Sequence, residues 1–514
     1  MNPTGWQHLL KTGIEAVQAQ DGEKACKLLE QALGSEPDNR QVRYWLGNAH
    51  RLCQRPGEAE VLFRGLISES PEQEDSVFAL AFLLREQGRL EEAAKELLAL
   101  AGHHEQDPDI LLRIAGFLRD SSQFEGAIGV MQSALAVMPD SADIHFKLSR
   151  LFQATGRFPE ALKHLRITLD INPDIGGAWL GLAQVQQFSN PASPDAERLE
   201  QALTRPLGEE ATLCLAFARA KCLDDMQRWP EAWKEYQRGN QLRAKTQPWD
   251  GKRWERLVAE SLHDSIQQEF SVHTRGRHPV FIVGMLRSGT TLLEQLLDRH
   301  PEITGRGELN FLAHLAGRFP SARTLSPNQR QELASDLWTH MRLDGPEQHH
   351  YIDKNPLNFR FLGWLLRIMP EARIIHVTRD GRDSCLSCFF QLFQHPDAGF
   401  SNTLVALERY YRGYRKIMRH WQHLAGERIH TVSYERLVRA TDGELGSVLG
   451  FLGLEQNKLA DAEEDALRPV RTASSWQVRQ EVHQRSLGRW EHYYPMAPGF
   501  FDALARIDVE YANS

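Results

Sequence analysis

One short segment near the middle of the chain has the composition of a phosphate-binding loop. The apolar run Val280–Met285 is followed by a glycine-containing turn and then by the helical pattern Leu292–Leu297. A strand, a turn and a helix start direct backbone N–H groups and the positive end of the helix dipole towards an anion. The sequence therefore predicts that the turn binds a phosphate-bearing ligand through Arg287, Ser288, Gly289, Thr290 and Thr291.

The turn departs from the nucleoside-triphosphate pattern GxxxxGK[ST] at one informative position. Gly284, Gly289 and Thr291 match the pattern, whereas Thr290 stands where the lysine is expected. That lysine contacts the β- and γ-phosphates of a nucleoside triphosphate. Its absence, with Arg287 added inside the turn, favours 3′-phosphoadenosine-5′-phosphosulfate (PAPS) over ATP, because PAPS joins a single 5′-phosphate to another small anion. A P-loop kinase or NTPase is the first alternative, and the missing strand-end aspartate that would pair with magnesium counts against it.

Short apolar runs that alternate with helical patterns surround the loop. Val280–Met285, Ala372–Val377 and Ile429–Val432 have the composition of buried strands. Such strands alternating with helices favour a parallel sheet covered by helices. Sheets of this kind bind ligands at the carboxyl ends of their strands, and Arg379 and Tyr434 each stand just past a predicted strand.

Several later segments carry a resemblance to a known family. They are Arg379-Asp-Gly-Arg-Asp-Ser-Cys-Leu-Ser387, Tyr434-Glu-Arg-Leu-Val438 and the late pair Arg489-Trp490. Together with the loop, they make the region 279–495 similar to PAPS-dependent sulfotransferases, above all to tyrosylprotein sulfotransferases and bacterial tetratricopeptide-linked sulfotransferases. The resemblance implies a P-loop-like α/β fold and PAPS as the sulfate donor.

The resemblance also assigns residues to the donor. It implies that the loop holds the 5′-phosphosulfate and that Arg379 and Ser387 hold the 3′-phosphate. A guanidinium and a hydroxyl suit a dianionic phosphate. Tyr434 would contact the nucleotide. A late lid over the nucleotide would supply two further contacts, Ser475 and Arg489.

Three residues would act on the sulfuryl group. The segment Gly305-Arg-Gly-Glu308 resembles the Gly-Glu segment of the tyrosylprotein enzymes, which makes Glu308 the predicted general base. The attacking hydroxyl becomes acidic only in the transition state, and a positioned carboxylate that takes its proton contributes about 10²- to 10⁴-fold in rate. Lys354 would neutralise charge on the oxygen between sulfur and the leaving phosphate. Ser474 is the matching hydroxyl stabiliser by resemblance.

Three positions depart from the tyrosylprotein pattern. Gln391 stands in place of an arginine, Asn355 in place of an acid and Arg489 in place of a lysine. Arginine keeps the charge but has a planar fork in place of a compact ammonium. These departures leave a second alternative, a non-catalytic adaptor whose C-terminal domain has lost activity. Four retained residues count against it: Arg287, Glu308, Lys354 and Arg379.

The first half of the chain is repetitive. Alanines recur every 34 residues, which is the tetratricopeptide period, at Ala25, Ala59, Ala93, Ala127 and Ala161. A proline follows four of them by 12 residues, at Pro37, Pro71, Pro139 and Pro173. The pattern resembles the tetratricopeptide repeat family over about residues 5–190. The repeat pattern predicts an all-α superhelix over 1–240. Together with the resemblance of the later segments, it divides the rest of the chain into a linker over 241–278 and the sulfotransferase domain over 279–514.

Composition bears on partners and location. The chain of 514 residues has a formal net charge of −8, which gives no reason to expect nucleic acid as the main partner. Its first residues lack a leader pattern, and no apolar run is long enough for a membrane span, so we expect a cytoplasmic protein. The groove of a helical solenoid favours a protein or peptide partner. The acceptor stays open among a protein tyrosine, a carbohydrate and a small-molecule hydroxyl.

A metal site is not expected from the sequence. Cys385 and Cys388 form a single CxxC with no second pair to complete a zinc site, so we expect buried thiols there. No acidic pair or histidine cluster with metal-ligand spacing stands near the predicted catalytic segments. The sequence therefore predicts a donor-dependent enzyme that works without a metal ion.

Overall fold

The computed structural model describes residues 5–265, 279–319, 325–342, 350–393, 395–456 and 486–512. The chain forms two compact units, Met1–Leu151 and Phe152–Ser514. The described part of the first unit is helical, and the second unit contains further helices and a five-stranded parallel sheet. The predicted fold class, helical repeats followed by a parallel α/β region, is confirmed.

Consecutive helices of the first unit pack as pairs at the repeat alanines. Ala25, Ala59, Ala93 and Ala127 are all completely buried. Gly47 approaches Phe63 of the next helix so closely that a Cβ would lie 2.6 Å from the ring. The helices are α1 Gly5–Gln18, α2 Gly22–Ser35, α3 Arg40–Leu52, α4 Pro56–Glu69, α5 Glu74–Glu86, α6 Leu90–His103, α7 Pro108–Asp120, α8 Phe124–Val137 and α9 Ala142–Thr155, whose last turn belongs to the second unit.

The repeat prolines stand just beyond helix ends. α2, α4 and α8 each end two residues before Pro37, Pro71 and Pro139. Proline cannot continue a helix because it lacks the N–H donor and its ring clashes with the preceding turn. Pro108 instead begins α7, where Asp107 caps the helix by accepting from the N–H of Ile110. The third repeat has no proline 12 residues after Ala93, and its proline a few residues later, Pro108, therefore starts a helix.

The sheet of the second unit has the order β2-β3-β1-β4-β5, with every pair parallel. Its strands are β1 Val280–Gly284, β2 Ile303–Gly305, β3 His350–Asp353, β4 Arg373–Thr378 and β5 Ile429–Ser433. Three of them match the predicted strands, whereas β2 and β3 were not predicted. The chain leaves β1 towards β2 on one side of the sheet and leaves the neighbouring β4 towards β5 on the other side, which places a topological switch point between β1 and β4.

Helices cover both faces of the sheet, and the second unit also contains the last helices of the repeat region. The helices of the second unit after α9 are α10 Phe158–Ile171, α11 Gly176–Gln184, α12 Pro194–Ala202, α13 Glu209–Asp225, α14 Trp229–Thr246, α15 Gly251–Leu262, α16 Thr290–Leu297, α17 Phe311–Arg318, α18 Pro327–Arg342, α19 Leu362–Ile368, α20 Gly381–Phe389, α21 Leu404–Ala425, α22 Tyr434–Arg439, α23 Thr441–Leu452 and α24 Pro498–Ala512. Along β1, Phe281 and Val283 enter one apolar core, and Val280 and Ile282 enter the other. This alternation explains why the whole strand is apolar.

The helices that follow the repeat region pack directly on the α/β region. On α14, Tyr236 stacks on Phe390 with ring centroids 3.8 Å apart, and the amide of Asn240 donates to the carbonyl of Phe389 at 2.8 Å. α14 and α15 extend into residues 241–262 of the predicted linker, and 266–278 lie outside the described residues. The boundaries proposed at 240 and 278 stay predictions. None of the helices in the described ranges is long and apolar enough to cross a membrane.

Candidate active site

The turn after β1 has the backbone of an anion-binding loop. Arg287 has a φ of 67° and Gly289 a φ of 99°, so two left-handed residues stand two positions apart just before α16. Backbone curled in this way forms a concave nest of N–H groups. A Cβ at Gly284 would lie 2.5 Å from the carbonyl oxygen of Val377 on β4, which fixes glycine there. Ser288 is buried, and its hydroxyl has no hydrogen-bond partner among the described residues.

Replacing Gly289 with alanine is expected to destabilise the protein and weaken anion binding. A Cβ there would overlap the ring of Tyr434, and the left-handed φ adds about 1–3 kcal/mol of strain. Urea unfolding of the variant checks the prediction. Gly443→Ala is the control, because a Cβ there meets nothing within 4 Å and alanine favours the helix α23. A Gly289→Ala protein as stable as the control would contradict the fixed loop geometry.

Arg379 and Tyr434 meet beside the loop, at the carboxyl ends of β4 and β5. One terminal nitrogen of Arg379 donates to the carbonyl of Arg287 at 3.0 Å, and the guanidinium carbon lies 4.7 Å from the centre of the Tyr434 ring. The Tyr434 hydroxyl is 2.8 Å from Oγ of Ser486. Nε of Arg379 is buried and has no hydrogen-bond partner among the described residues. The structure thus brings together two residues predicted to bind the nucleotide.

Arg287 links the two predicted phosphate sites. Its Nε donates to Oγ of Ser387 on α20 at 3.0 Å. Burial, together with smaller contributions from the nearby guanidinium groups of Arg379 and Arg489, lowers the pKa of Arg287 to about 10. The group keeps its charge at neutral pH, so several positive charges gather where little water can screen them. An anion bound there would relieve their repulsion.

Arg489 lies near the guanidinium groups of Arg287 and Arg379, but it forms an ion pair with a residue of α13. Its guanidinium donates to the carboxylate of Asp224 at the end of α13. The backbone around it is held by Asp383, whose carboxylate accepts from the N–H of Gly488 at 2.8 Å and from the N–H of Trp490 at 3.1 Å. The predicted donor contact of Arg489 therefore stays a prediction. The partner Asp224 was missed, because the sequence does not show which helix packs on this segment.

Glu308 and Lys354 are brought together by the neighbouring strands β2 and β3. Lys354 follows β3 directly, is completely buried, and donates from Nζ to Oε1 of Glu308 at 2.8 Å. Its backbone N–H donates to the carbonyl of Gly307 at 2.9 Å, which fixes the two loops against each other. The Glu308 side chain is 47% exposed, so it can meet a group that arrives from solvent. A half-exposed carboxylate therefore lies beside a buried ammonium group.

Two further buried carboxyl groups lie near this pair and were not predicted. Glu294 on α16 has its Oε2 3.8 Å from Nζ of Lys354. Burial raises the pKa of Glu294 to about 7 and that of Asp353, the last residue of β3, to about 8. The available signal was an acid inside the otherwise apolar pattern of α16. Perturbed acids in a cleft are typical of functional sites.

Four other positions named in the sequence analysis are Ser474, Ser475, Gln391 and Asn355. Ser474 and Ser475 lie outside the described residues, as does most of the predicted lid. Gln391 lies just beyond α20 and is partly buried. Asn355 caps the turn after Lys354, because its Oδ1 accepts from the N–H of Leu357 at 3.1 Å. Its departure from the tyrosylprotein pattern thus has a local structural role.

The cysteine pair is buried, as predicted. Cys385 and Cys388 are free thiols with no exposed surface. Burial raises the pKa of Cys388 to about 12, and its thiol donates to the carbonyl of Leu286 at 3.3 Å. Within the described residues, no group of three histidine, cysteine or acidic side chains is placed to hold a metal ion.

The donor set fits a ligand with phosphate groups. Ser288 Oγ and Arg379 Nε are buried polar atoms that lack protein partners in the described part of the chain, and a buried polar group without a partner costs about 1–3 kcal/mol. Both stand at the loop with Arg287. A phosphate oxygen would satisfy a hydroxyl or guanidinium N–H and balance the local charge.

A nucleotide-type loop at a switch point, with a carboxylate–lysine pair beside it, is typical of group-transfer domains, and comparison with known proteins matches two regions of the chain to family models. Residues 279–458 match the model of the Sulfotransferase family. Residues 10–74, 54–112 and 118–185 match Tetratricopeptide repeat models. The chain therefore carries a sulfotransferase-family domain in its C-terminal region and tetratricopeptide repeats in its N-terminal region, as predicted.

Its relatives are distant. An uncharacterized protein of Aquifex aeolicus (strain VF5) is 25% identical over 453 residues, covering 83% of this chain and 59% of that protein. The protein-tyrosine sulfotransferase of Drosophila melanogaster is 23% identical over 269 residues, covering 46% of this chain and 52% of that protein. The chain thus spans little more than half the length of these two relatives. The solved structure of MamA 41-end from Desulfovibrio magneticus RS-1 is 15% identical, with a TM-score of 0.27, and the match covers 34% of this chain and 99% of that one.

Proposed function

We propose that this protein transfers the sulfuryl group of PAPS to a hydroxyl acceptor, such as a protein tyrosine. The observation that carries the proposal is the meeting of two sets of residues at one edge of the sheet. The ends of β1, β4 and β5 present Arg287, Arg379 and Tyr434, and the ends of β2 and β3 present Glu308 and Lys354. The distant homology to protein-tyrosine sulfotransferases supports the same reaction.

Each residue has a distinct part in the proposed reaction. PAPS supplies a sulfuryl group on its 5′-phosphate, and Arg287, Ser288 and Arg379 would hold its phosphate groups. Glu308 takes the proton of the acceptor hydroxyl as the new O–S bond forms. Lys354 neutralises the charge left on the bridging oxygen as the old S–O bond breaks. The products are the sulfated acceptor and adenosine 3′,5′-bisphosphate.

The repeats are proposed to recruit the acceptor or a protein partner in the cytoplasm. Tetratricopeptide repeats suggest protein interaction, and the first helix of one repeat exposes an aromatic side chain that packs against a buried aromatic side chain of the next repeat. Phe82 on α5 is 41% exposed and lies 5.1 Å from the ring of Phe117 on α7. The guanidinium of Arg85 lies over both rings, at 4.8 and 4.6 Å. Exposed aromatic and arginine side chains are the types enriched at protein interfaces.

The proposal is tested by ligand-induced stabilisation of the full chain. Adenosine 3′,5′-bisphosphate at 100 times its dissociation constant is expected to stabilise the protein by about 2.7 kcal/mol. Arg379→Ala is expected to abolish this effect, because it removes a buried guanidinium from the predicted 3′-phosphate site beside the loop. Arg409→Ala is the control, since the Arg409 side chain is 60% exposed and pairs only with Glu255 among the described residues.

The competing functions give different results in the same experiment. Stabilisation by ATP with magnesium, and not by the bisphosphate, would replace this proposal with the P-loop kinase or NTPase. Thr290 in the position of the phosphate-binding lysine argues against that outcome. Binding of the bisphosphate without any turnover of PAPS would favour the adaptor.

A further inference from the structure

Two acids, one on α16 and one at the C-cap of α16, hold the loop that carries Glu308. Glu294 accepts from the N–H of Gly307 at 2.7 Å, and Asp298, one turn later, accepts from the N–H of Gly305 at 2.7 Å. α16 begins at Thr290, within the predicted phosphate loop. One helix therefore joins the loop proposed to bind the donor to the loop that carries the proposed base.

Glu294 also faces Lys354. Nζ of Lys354 lies 2.8 Å from Glu308 and 3.8 Å from Oε2 of Glu294, so the ammonium group has a carboxylate on each side. Lys354 is completely buried and Glu294 is 8% exposed, so little water screens this contact. Because Lys354 donates to Glu308 in this structure, one oxygen of the proposed base is occupied by the lysine.

We propose that Glu294 is a positioning residue that holds the Glu308 loop and balances the charge of Lys354, so that Glu308 is free to accept the proton of the acceptor. The inference rests on the proposed sulfuryl transfer and adds a residue to it. When Lys354 turns towards the leaving oxygen, Glu294 stays beside it and keeps its charge compensated. Asp298 shares the loop-holding role from the C-cap of the same helix.

The ionisation of Glu294 makes the proposal testable by pH. Four charged or titratable groups face Glu294: Lys354, Glu308, Asp298 and Asp353. Burial raises the pKa of Glu294 to about 7, whereas Lys354 and the Gly307 N–H act in the opposite direction. The carboxylate is therefore present above pH 7 and is lost as the pH falls through 7. Turnover should fall with it.

Glu294→Gln separates this role from a structural one. The amide oxygen still accepts from Gly307, but no charge faces Lys354. We expect kcat for PAPS turnover with a tyrosine-bearing peptide to fall about 10- to 100-fold at pH 8, the range for partners that orient a group without touching substrate. KM for PAPS should change less than twofold, and the fall in kcat near pH 7 should disappear.

Asp298→Asn is the matched comparison, because it changes the acid at the C-cap of the same helix, which holds the same loop. It should keep the fall in kcat near pH 7, whatever its effect on the rate. A Glu294→Gln enzyme with unchanged kcat and an unchanged profile would overturn the inference. A bisphosphate that fails to stabilise the unaltered protein would overturn the proposed function itself, so the two failures are distinguishable.

Discussion

Replacing Glu308 with glutamine is expected to lower kcat for sulfuryl transfer by about 10²- to 10⁴-fold, because no other group would take the proton of the attacking hydroxyl. The side chain keeps its size, and its amide oxygen can still accept from Nζ of Lys354. Binding of adenosine 3′,5′-bisphosphate should therefore change less than twofold. Steady-state turnover of PAPS with a tyrosine-bearing peptide measures the first effect, and thermal stabilisation by the bisphosphate measures the second.

Glu302→Gln controls for the loss of an acid from this region. Glu302 precedes β2, and its backbone carbonyl accepts from the N–H of His350. The variant should keep kcat within twofold of the unaltered protein. A Glu308→Gln enzyme with nearly full kcat would remove Glu308 from the mechanism and leave proton transfer to another group.

The strands that the sequence predicted are the ones with long apolar runs next to a recognisable motif. β1, β4 and β5 have five or six residues each and precede the loop, Arg379 and Tyr434. β2 and β3 have three and four residues, among them Thr304, His350 and Asp353, and so show no apolar run. The resemblance supplied Glu308 and Lys354, but their contact at 2.8 Å depends on the pairing of those two short strands.

Contacts between distant parts of the chain explain the other interactions that the sequence did not predict. Arg489 was predicted from its segment alone, but its partner Asp224 is 265 residues away in sequence. Nothing in a repeat pattern shows that the end of α13 meets that segment. Glu294 was hidden for a related reason, because an acid in an apolar helix is recognisable as functional only when its neighbours are known. The motifs in the sequence therefore identified candidate residues, whereas the tertiary packing determined which of these residues interact.

Replacing Lys354 with methionine is expected to lower kcat by about 10²- to 10³-fold, because a buried cation no longer neutralises the leaving oxygen. The same change leaves Glu294 buried without its ammonium partner. Loss of one member of a buried ion pair costs about 3–5 kcal/mol when the other stays charged. Lys416→Met is the control, since Lys416 is exposed on α21.

The loss of stability in Lys354→Met should depend on pH in a defined direction. The pKa of Glu294, about 7 in the folded protein against an ordinary value of 4.5, rises further when Lys354 is removed. The folded chain then binds a proton that the unfolded chain has released, so the stability from this group falls as the pH rises from 4.5 through the folded value. Urea unfolding should therefore show a larger loss at pH 8 than at pH 6. An equal loss of stability at both pH values would mean that the ionisation of Glu294 does not depend on Lys354. A variant that loses kcat at pH 6 with little loss of stability would show that the ammonium group acts in the reaction itself.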